Sequence, residues 1–248
     1  MKMTKAPTIT IVIRDFGEKF LLLQEFFGYS DFLKDGIMSE YYDETYYNWQ
    51  KDIGAFGGWA NLIKFEKYIT PDMNIIDFGC GGGFLLKNIQ CKGKIGIEIN
   101  DVARETVSNF GIKSCKFVGE APDDWADCII SSHALEHVSD PLQQLLGLKD
   151  KLKVGGKIIF VVPFDSYRYK PNDINYHLFS WSPMNLGNLF TEAGYKVLES
   201  KELIHRWPPF YAKLAAIFGQ RIFNIMCVIY GWISRFSCSQ VRVVAEKI

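Results

Sequence analysis

Asn74-Ile-Ile-Asp-Phe-Gly-Cys-Gly-Gly-Gly83 decides how the chain is read: an apolar run passes into four glycines within five positions. A short apolar run cut off by glycine reads as a buried strand ending in a tight turn. The glycines let the backbone turn sharply and approach a ligand that any side chain would hold away. Residues 84–90 then read as a helix whose N-terminal amides face the same space. Further apolar runs follow at 94–99, 114–118, 127–131, 156–163, 195–204 and 241–247, most of them separated by helical stretches. Such alternation predicts βαβ units in a mostly parallel sheet with helices on both faces. A ligand is then expected at the carboxyl ends of the strands.

The second run, Lys94-Ile-Gly-Ile-Glu-Ile-Asn100, carries an acid near its end, Glu98. A carboxylate there accepts both hydroxyl hydrogens of a ribose. A dinucleotide fold also has that acid, but its fingerprint is GxGxxG. Here the spacing is Gly79-x-Gly81-x-Gly83, with Asp77 two residues before the first glycine. An anionic side chain at the turn is unhelpful to a pyrophosphate and suits a ligand carrying an ammonium and a sulfonium.

These residues resemble the DxGxGxG motif and ribose-binding acid of class I S-adenosylmethionine-dependent methyltransferases. The resemblance extends over residues 60–204 and the last strand. Val118-Gly-Glu-Ala121 is similar to the segment that brackets adenine, with Glu120 where the family has Asp. Asp127–Pro141 resembles the fourth-strand motif beside the methionine moiety, and Gly155–Pro163 the fifth strand. The resemblance implies a Rossmann-like α/β fold with a seven-stranded, mostly parallel sheet and an antiparallel final strand. It implies S-adenosylmethionine as cofactor, S-adenosylhomocysteine as product, and Asp77, Gly79, Cys80, Gly81, Gly83, Glu98, Ile99, Glu120, Ala121, Ser132 and His133 around the cofactor. Two other functions stay open: an NAD-binding oxidoreductase, and a partner protein that binds S-adenosylmethionine without turnover.

Methyl transfer needs a general base only where the acceptor is a hydroxyl or a protonated amine, and histidine suits neutral pH. His177, after the fifth strand, is the first candidate and His133 the second; anchoring of the 173–181 loop is an equal reading of His177. His133, Glu136 and His137 stand at i, i+3 and i+4. Some ubiquinone-pathway O-methyltransferases have a metal-binding, acid-rich version of this segment. His133 replaces its first acid here, so no metal is expected.

The flanks are less ordinary. Residues 1–58 read as an N-terminal extension, with Thr8–Arg14 strand-like and the aromatic run Tyr41–Gln50 as packing or as a lid hinged at Gly54–Gly58. A helix is expected from Trp59 to Tyr68. The core comprises 59–204 and 241–248, and 205–240 is an apolar helical insertion with four basic residues and no acid. On a helical wheel its polar positions from Lys213 to Arg235 share about 100°. That pattern fits a buried or homodimer-forming helix, or a surface laid on a membrane; burial is the expectation, because the chain must return to a final strand.

Net charge is zero, so no global field favours nucleic acid. The six cysteines form no CxxC pair and read as reduced thiols of a cytoplasmic protein. Phe56–Trp59, Asp173–His177 and Arg206–Pro209 resemble bacterial methyltransferases of surface-polysaccharide assembly, which implies a sugar or glycan-precursor acceptor. The aromatic content suits a small aromatic or quinone-like acceptor instead.

Overall fold

The computed structural model describes residues 53–164, 176–234 and 239–248, all within one unit, Tyr42–Ile248. Seven strands, β1 (Asn74–Phe78), β2 (Gly93–Ile97), β3 (Lys113–Cys115), β4 (Ala126–Ser132), β5 (Leu152–Phe164), β6 (Tyr195–Leu203) and β7 (Ser239–Lys247), form one sheet in the order β3-β2-β1-β4-β5-β7-β6. The first five are mutually parallel; β7 runs antiparallel to both β5 and β6. Strand order reverses between β1 and β4, and the crevice of such a sheet opens at that reversal.

Five helices connect the strands: α1 (Phe84–Asn88), α2 (Asp101–Asn109), α3 (Pro141–Lys151), α4 (Pro183–Glu192) and α5 (Tyr211–Ile233). Capping accounts for three of the starts. Asn100, Asp140 and Ser182 each accept a backbone N–H from the third residue of the following helix. Consecutive residues of the central strands point to opposite faces, and both faces are covered. Ile76, Ile129, Ile158 and Phe160 meet α3 and α4, while Ile75, Ile130, Ile159 and Val161 meet α1 and α2. That double coverage is why these strands read as continuous apolar runs rather than alternating ones. Phe160 lies at the centre, stacked on Phe78 at 5.9 Å and edge-on to Phe190 at 5.5 Å.

Several expectations shift. In place of one helix over Trp59–Tyr68, residues 53–60 are helical, and two 3₁₀ turns, Leu62–Lys64 and Glu66–Tyr68, follow. The break between the turns seats Phe65 wholly inside the core. The glycines expected to hinge a lid belong to the 53–60 helix. A β-carbon on Gly58 would lie 2.4 Å from the backbone of Phe84, so that glycine serves close helix packing. The strand-like run Thr8–Arg14 and the aromatic run Tyr41–Gln50 lie outside the described residues.

The segment between β6 and β7 differs most from expectation. Helix α5 packs on the domain by a narrow face. Phe223 and Cys227 are fully buried, and Phe56, Trp59, Trp207 and Tyr211 close an aromatic cluster that ties α5 to helix 53–60. Two of its polar residues turn inward: Gln220 Nε2 donates to Trp59 O at 3.1 Å, and buried Asn224 faces His205 at 3.3 Å. The broad apolar face is left exposed, contrary to burial against the domain.

Candidate active site

After β1 the chain turns through Gly79, Gly81 and Gly83, all with positive φ (69°, 52° and 75°). Gly79 and Gly81 are needed for different reasons. A β-carbon on Gly79 would meet Ala134 Cβ at 2.2 Å, so this glycine lets the β1 turn touch the chain leaving β4. A β-carbon on Gly81 would meet nothing within 4 Å, so this glycine keeps space open for something else. Cys80 contributes backbone to the turn; its thiol packs over Gly96, where a β-carbon would lie 2.5 Å from the sulfur.

Two acids flank the turn. Asp77 is 2% exposed, and burial, then the neighbouring Glu98, push its carboxyl well above the usual carboxylate range. Glu98 lies just past the end of β2 and accepts Gly81 N–H at 2.8 Å on one oxygen and Asn100 N–H at 2.9 Å on the other. Burial raises its carboxyl too, partly offset by those amides and by Arg104. Arg104 Nη1 donates to the carbonyls of Glu98 (2.8 Å) and Ile99 (3.1 Å), holding the β2–α2 corner. Each carboxylate oxygen still has a lone pair for a ligand hydroxyl. A buried acid kept from ionising by its surroundings is what a cationic ligand group would relieve. The turn, Asp77 and Glu98 therefore fit a ligand with an ammonium and a ribose.

Glu120 and Ala121 stand beyond β3, in and after the 3₁₀ turn Val118–Glu120. Their polar groups are engaged within that turn: Glu120 Oε2 accepts Lys116 N–H at 2.8 Å, and Ala121 N–H donates to Val118 O at 3.1 Å. Glu120 Oε1 remains able to accept an adenine amino group, whereas contact through the Ala121 amide requires that amide to give up its bond to Val118.

Across the reversal point, β4 ends at Ser132. His133 follows in a left-handed conformation (φ 58°), uncommon outside glycine, though histidine adopts it more readily than most residues. Beyond it, the 3₁₀ turn Leu135–His137 carries Glu136, fully buried, with neither carboxylate oxygen hydrogen-bonded. His133 Nδ1 and His137 Nε2 approach Glu136 Oε1 at 3.6 and 3.8 Å. The Glu136 carbonyl accepts the amides of Leu178 (2.8 Å) and Phe179 (3.2 Å), which brings His177 to a 4.8 Å ring contact with His137. Donor atoms of Glu136, His137 and His177 all lie within 4.8 Å of one another, so these three residues could hold a metal ion, although no metal was expected here. Burial, ahead of an opposing contribution from Glu136, lowers the His137 pKa, keeping its imidazole neutral near pH 7.

Sequence reasoning passed over several contributors. Ser131 Oγ donates to Phe78 O at 2.8 Å and locks β4 to β1. Gln240 on β7 reaches His133 Nε2 at 3.2 Å. Asn100 could have been found as a helix cap before α2; Arg104 and Gln240 carry no local signal.

A methyltransferase-domain family model matches residues 53–200. Over 114 residues the chain is 29% identical to the ubiquinone biosynthesis O-methyltransferase of Saccharophagus degradans, covering 41% of this chain and 48% of that protein. It is 28% identical over 130 residues to the protein of the same name from Hydrogenovibrio crunogenus, covering 45% and 54%. The chain thus spans about half the length of these curated relatives. Similar folds include an S-adenosylmethionine-dependent methyltransferase from Thermotoga maritima (TM-score 0.60, 16% identity, 85% of this chain and all, 100%, of that one). Another is from Archaeoglobus fulgidus (TM-score 0.57, 19% identity, 82% and 99%). A third, the phosphoethanolamine N-methyltransferase 2 of Haemonchus contortus in complex with S-adenosyl-L-methionine, has a TM-score of 0.56 at 14% identity over 85% and 60%. None of these matches supports the surface-polysaccharide grouping.

Proposed function

Because the chain belongs to the class I S-adenosylmethionine-dependent methyltransferases, we propose that its crevice methylates a hydroxyl of a small molecule, with the cofactor on the β1–β2 side and the acceptor on the β4–β5 side. The observation that carries this reading is the pairing, across one reversal point, of an acid-flanked glycine turn with a histidine cluster built on Glu136.

The cofactor supplies an electrophilic methyl on a sulfonium; the protein binds, aligns and manages one proton. Asp77 offers a carboxyl to the ammonium and Glu98 accepts the ribose hydroxyls, with Gly81 leaving room between them. Gly79, Cys80 and Gly83 shape the turn, while Ile99 and Ser132 border it from the ends of β2 and β4. As a carbon–oxygen bond forms and the carbon–sulfur bond breaks, the acceptor hydroxyl loses its proton to an imidazole. His177 takes that role in our reading. With the Gln240 amide nitrogen donating, His133 Nε2 accepts, its proton sits on Nδ1 towards Glu136, and His133 is held as a positioning group.

A hydroxyl acceptor is supported by the name of the two curated relatives, and a small aromatic or quinol-like molecule by that name and the aromatic content. A glycan-precursor hydroxyl is the competing acceptor class. A second reading of the same cluster is a divalent cation on Glu136, His137 and His177, favoured by the unpaired buried carboxylate and the neutral His137. The cation would hold and acidify the acceptor hydroxyl, making His177 a ligand instead of a base.

The test is methyl transfer from labelled S-adenosylmethionine to a panel of catechols, hydroxyquinols and sugar nucleotides, with and without chelator. Transfer to a catechol, lost in His177→Ala while S-adenosylhomocysteine still binds, supports the proposal. Chelator-sensitive turnover restored by a divalent metal selects the second reading. Transfer only to sugar nucleotides or amines overturns the acceptor assignment.

A further inference from the structure

Helix α5 buries only a narrow stripe against the domain, with Gln220 and Asn224 on that side, while Ile217, Phe218, Ile222, Ile225, Ile229 and Ile233 are 45–76% exposed. Ile222, Ile225, Ile229 and Ile233, all after the bend at Gly219, recur at the three- and four-residue spacing of one helical face, and an exposed apolar face of this kind marks an interaction surface. By length and composition alone the helix is long and apolar enough to cross a membrane, and most of it is unburied.

Two features identify the occupant. First, charge is one-sided: Lys213 and Arg221 are exposed on α5, and no carboxylate occurs from Leu203 to Ala245. Helix 53–60, packed against α5, carries no charge at all. Second, the chain leaves and re-enters the sheet at one place, since Leu203 pairs with Gln240. α5 bends at Gly219 (φ 69°, ψ 174°), and its longer segment, residues 220–233, is about 21 Å long. Six residue steps from Ile233 to Ser239 reach at most about 22 Å, less than the roughly 30 Å hydrocarbon core. A helix crossing the bilayer could not return to β7, so α5 must lie parallel to any membrane it meets. Its inner face is already fastened: Arg206 N–H donates to Cys227 O at 3.1 Å, and Gly231 lets Ile204 approach so that a β-carbon would meet it at 2.8 Å.

We propose that α5 is an in-plane membrane anchor that lays its isoleucine face into the headgroup–acyl boundary of an anionic bilayer, with Lys213 and Arg221 meeting lipid phosphates. Docking of this kind needs apolar area and positive charge together. It is independent of the acceptor's identity.

The test is flotation of the full chain with vesicles of phosphatidylcholine alone or with phosphatidylglycerol added, at low and high salt. Binding is expected to the phosphatidylglycerol vesicles, to weaken with salt, and to fall by at least about tenfold in Ile225→Glu/Ile229→Glu. Lys213→Gln/Arg221→Gln should lose the preference for phosphatidylglycerol. Unchanged S-adenosylhomocysteine binding in both variants shows that the fold and cofactor site are intact. Failure to float while the chain dimerises, with the dimer abolished by Ile225→Glu/Ile229→Glu, overturns the proposal in favour of a second copy. Failure to float as a monomer overturns it in favour of cover by residues 1–52.

Discussion

Gly79 and Gly81 stand two residues apart with similar backbone angles, yet their replacement by alanine should fail in different ways. At Gly79 an alanine incurs left-handed backbone strain of about 1–2 kcal/mol. Its methyl, placed 2.2 Å from Ala134 Cβ, must push apart the β1 turn and the residues after β4. Overpacking of that kind costs about 1–3 kcal/mol more. The total, about 2–5 kcal/mol, corresponds to a fall in Tm of roughly 5–20 °C for a chain of this size. At Gly81 only the backbone strain applies, because nothing lies within 4 Å of the new methyl. The expected fall is a few degrees. That methyl nevertheless projects beside the amide that Glu98 accepts, where a cofactor must approach. Differential scanning calorimetry, with calorimetric titration of S-adenosylhomocysteine, reads both effects. Gly81→Ala should remain folded and lose cofactor affinity at least about tenfold, or about 1.4 kcal/mol. If it binds as tightly as the parent, or melts as early as Gly79→Ala, the division of labour within the turn is wrong.

Three other outcomes follow from groups whose ionisation the fold has altered or whose packing it depends on. Asp77 has its folded pKa raised, so the folded chain binds a proton that the unfolded chain releases, and stability declines as pH rises from the unfolded value toward the folded one. Asp77→Asn should therefore raise Tm at neutral pH while abolishing S-adenosylhomocysteine binding, and parental binding should release a proton, read as a buffer-dependent heat. Burial lowers Lys64, 3% exposed beneath α5, to about 7 and His205 to about 4. Both are more readily protonated unfolded, so stability should rise with pH from 7 toward 10.5 and fall from about 6.5 toward 4; Lys64→Met should flatten the first slope in urea titrations. Phe223→Ala, emptying the fully buried centre of the α5 contact, should cost about 3–5 kcal/mol and accelerate amide exchange in α5 before the central strands.

What could be read from the sequence depended on whether the signal was local. β1 and its turn were legible because an apolar run ending in glycines constrains only its own neighbours. The mostly parallel sheet was legible because alternating apolar runs and helical stretches favour βαβ units, while the count of seven strands and the antiparallel last one rested on the family resemblance. The orientation of α5 was not legible: helical periodicity shows which residues share a face, not which face the domain takes. Its polar stripe was read as the outward side, and Gln220 and Asn224 instead point inward. Gly58 against Phe84 and Gly96 beneath Cys80 are close approaches between distant segments, invisible without the fold. Glu136 appeared only as a spacing. Its burial, and the loop that brings His177 to it, make it the centre of the proposed acceptor side.

The pairing of Leu203 with Gln240 also bears on how such a chain can change over time. Adjacent antiparallel strands need only a two-residue turn between them, so all but a turn's length of residues 204–238 is surplus to the sheet's connectivity. The excursion is a cassette: it could have been acquired, lengthened or lost in one event without renumbering a single strand contact. A relative with a tight β6–β7 hairpin would keep the same crevice and lose only the exposed apolar face of α5. Its cost would fall on Phe56 and Trp59, whose rings would be uncovered, so excision should be accompanied by polar replacements there. Those two positions are where a lineage that lost the cassette would carry its scar.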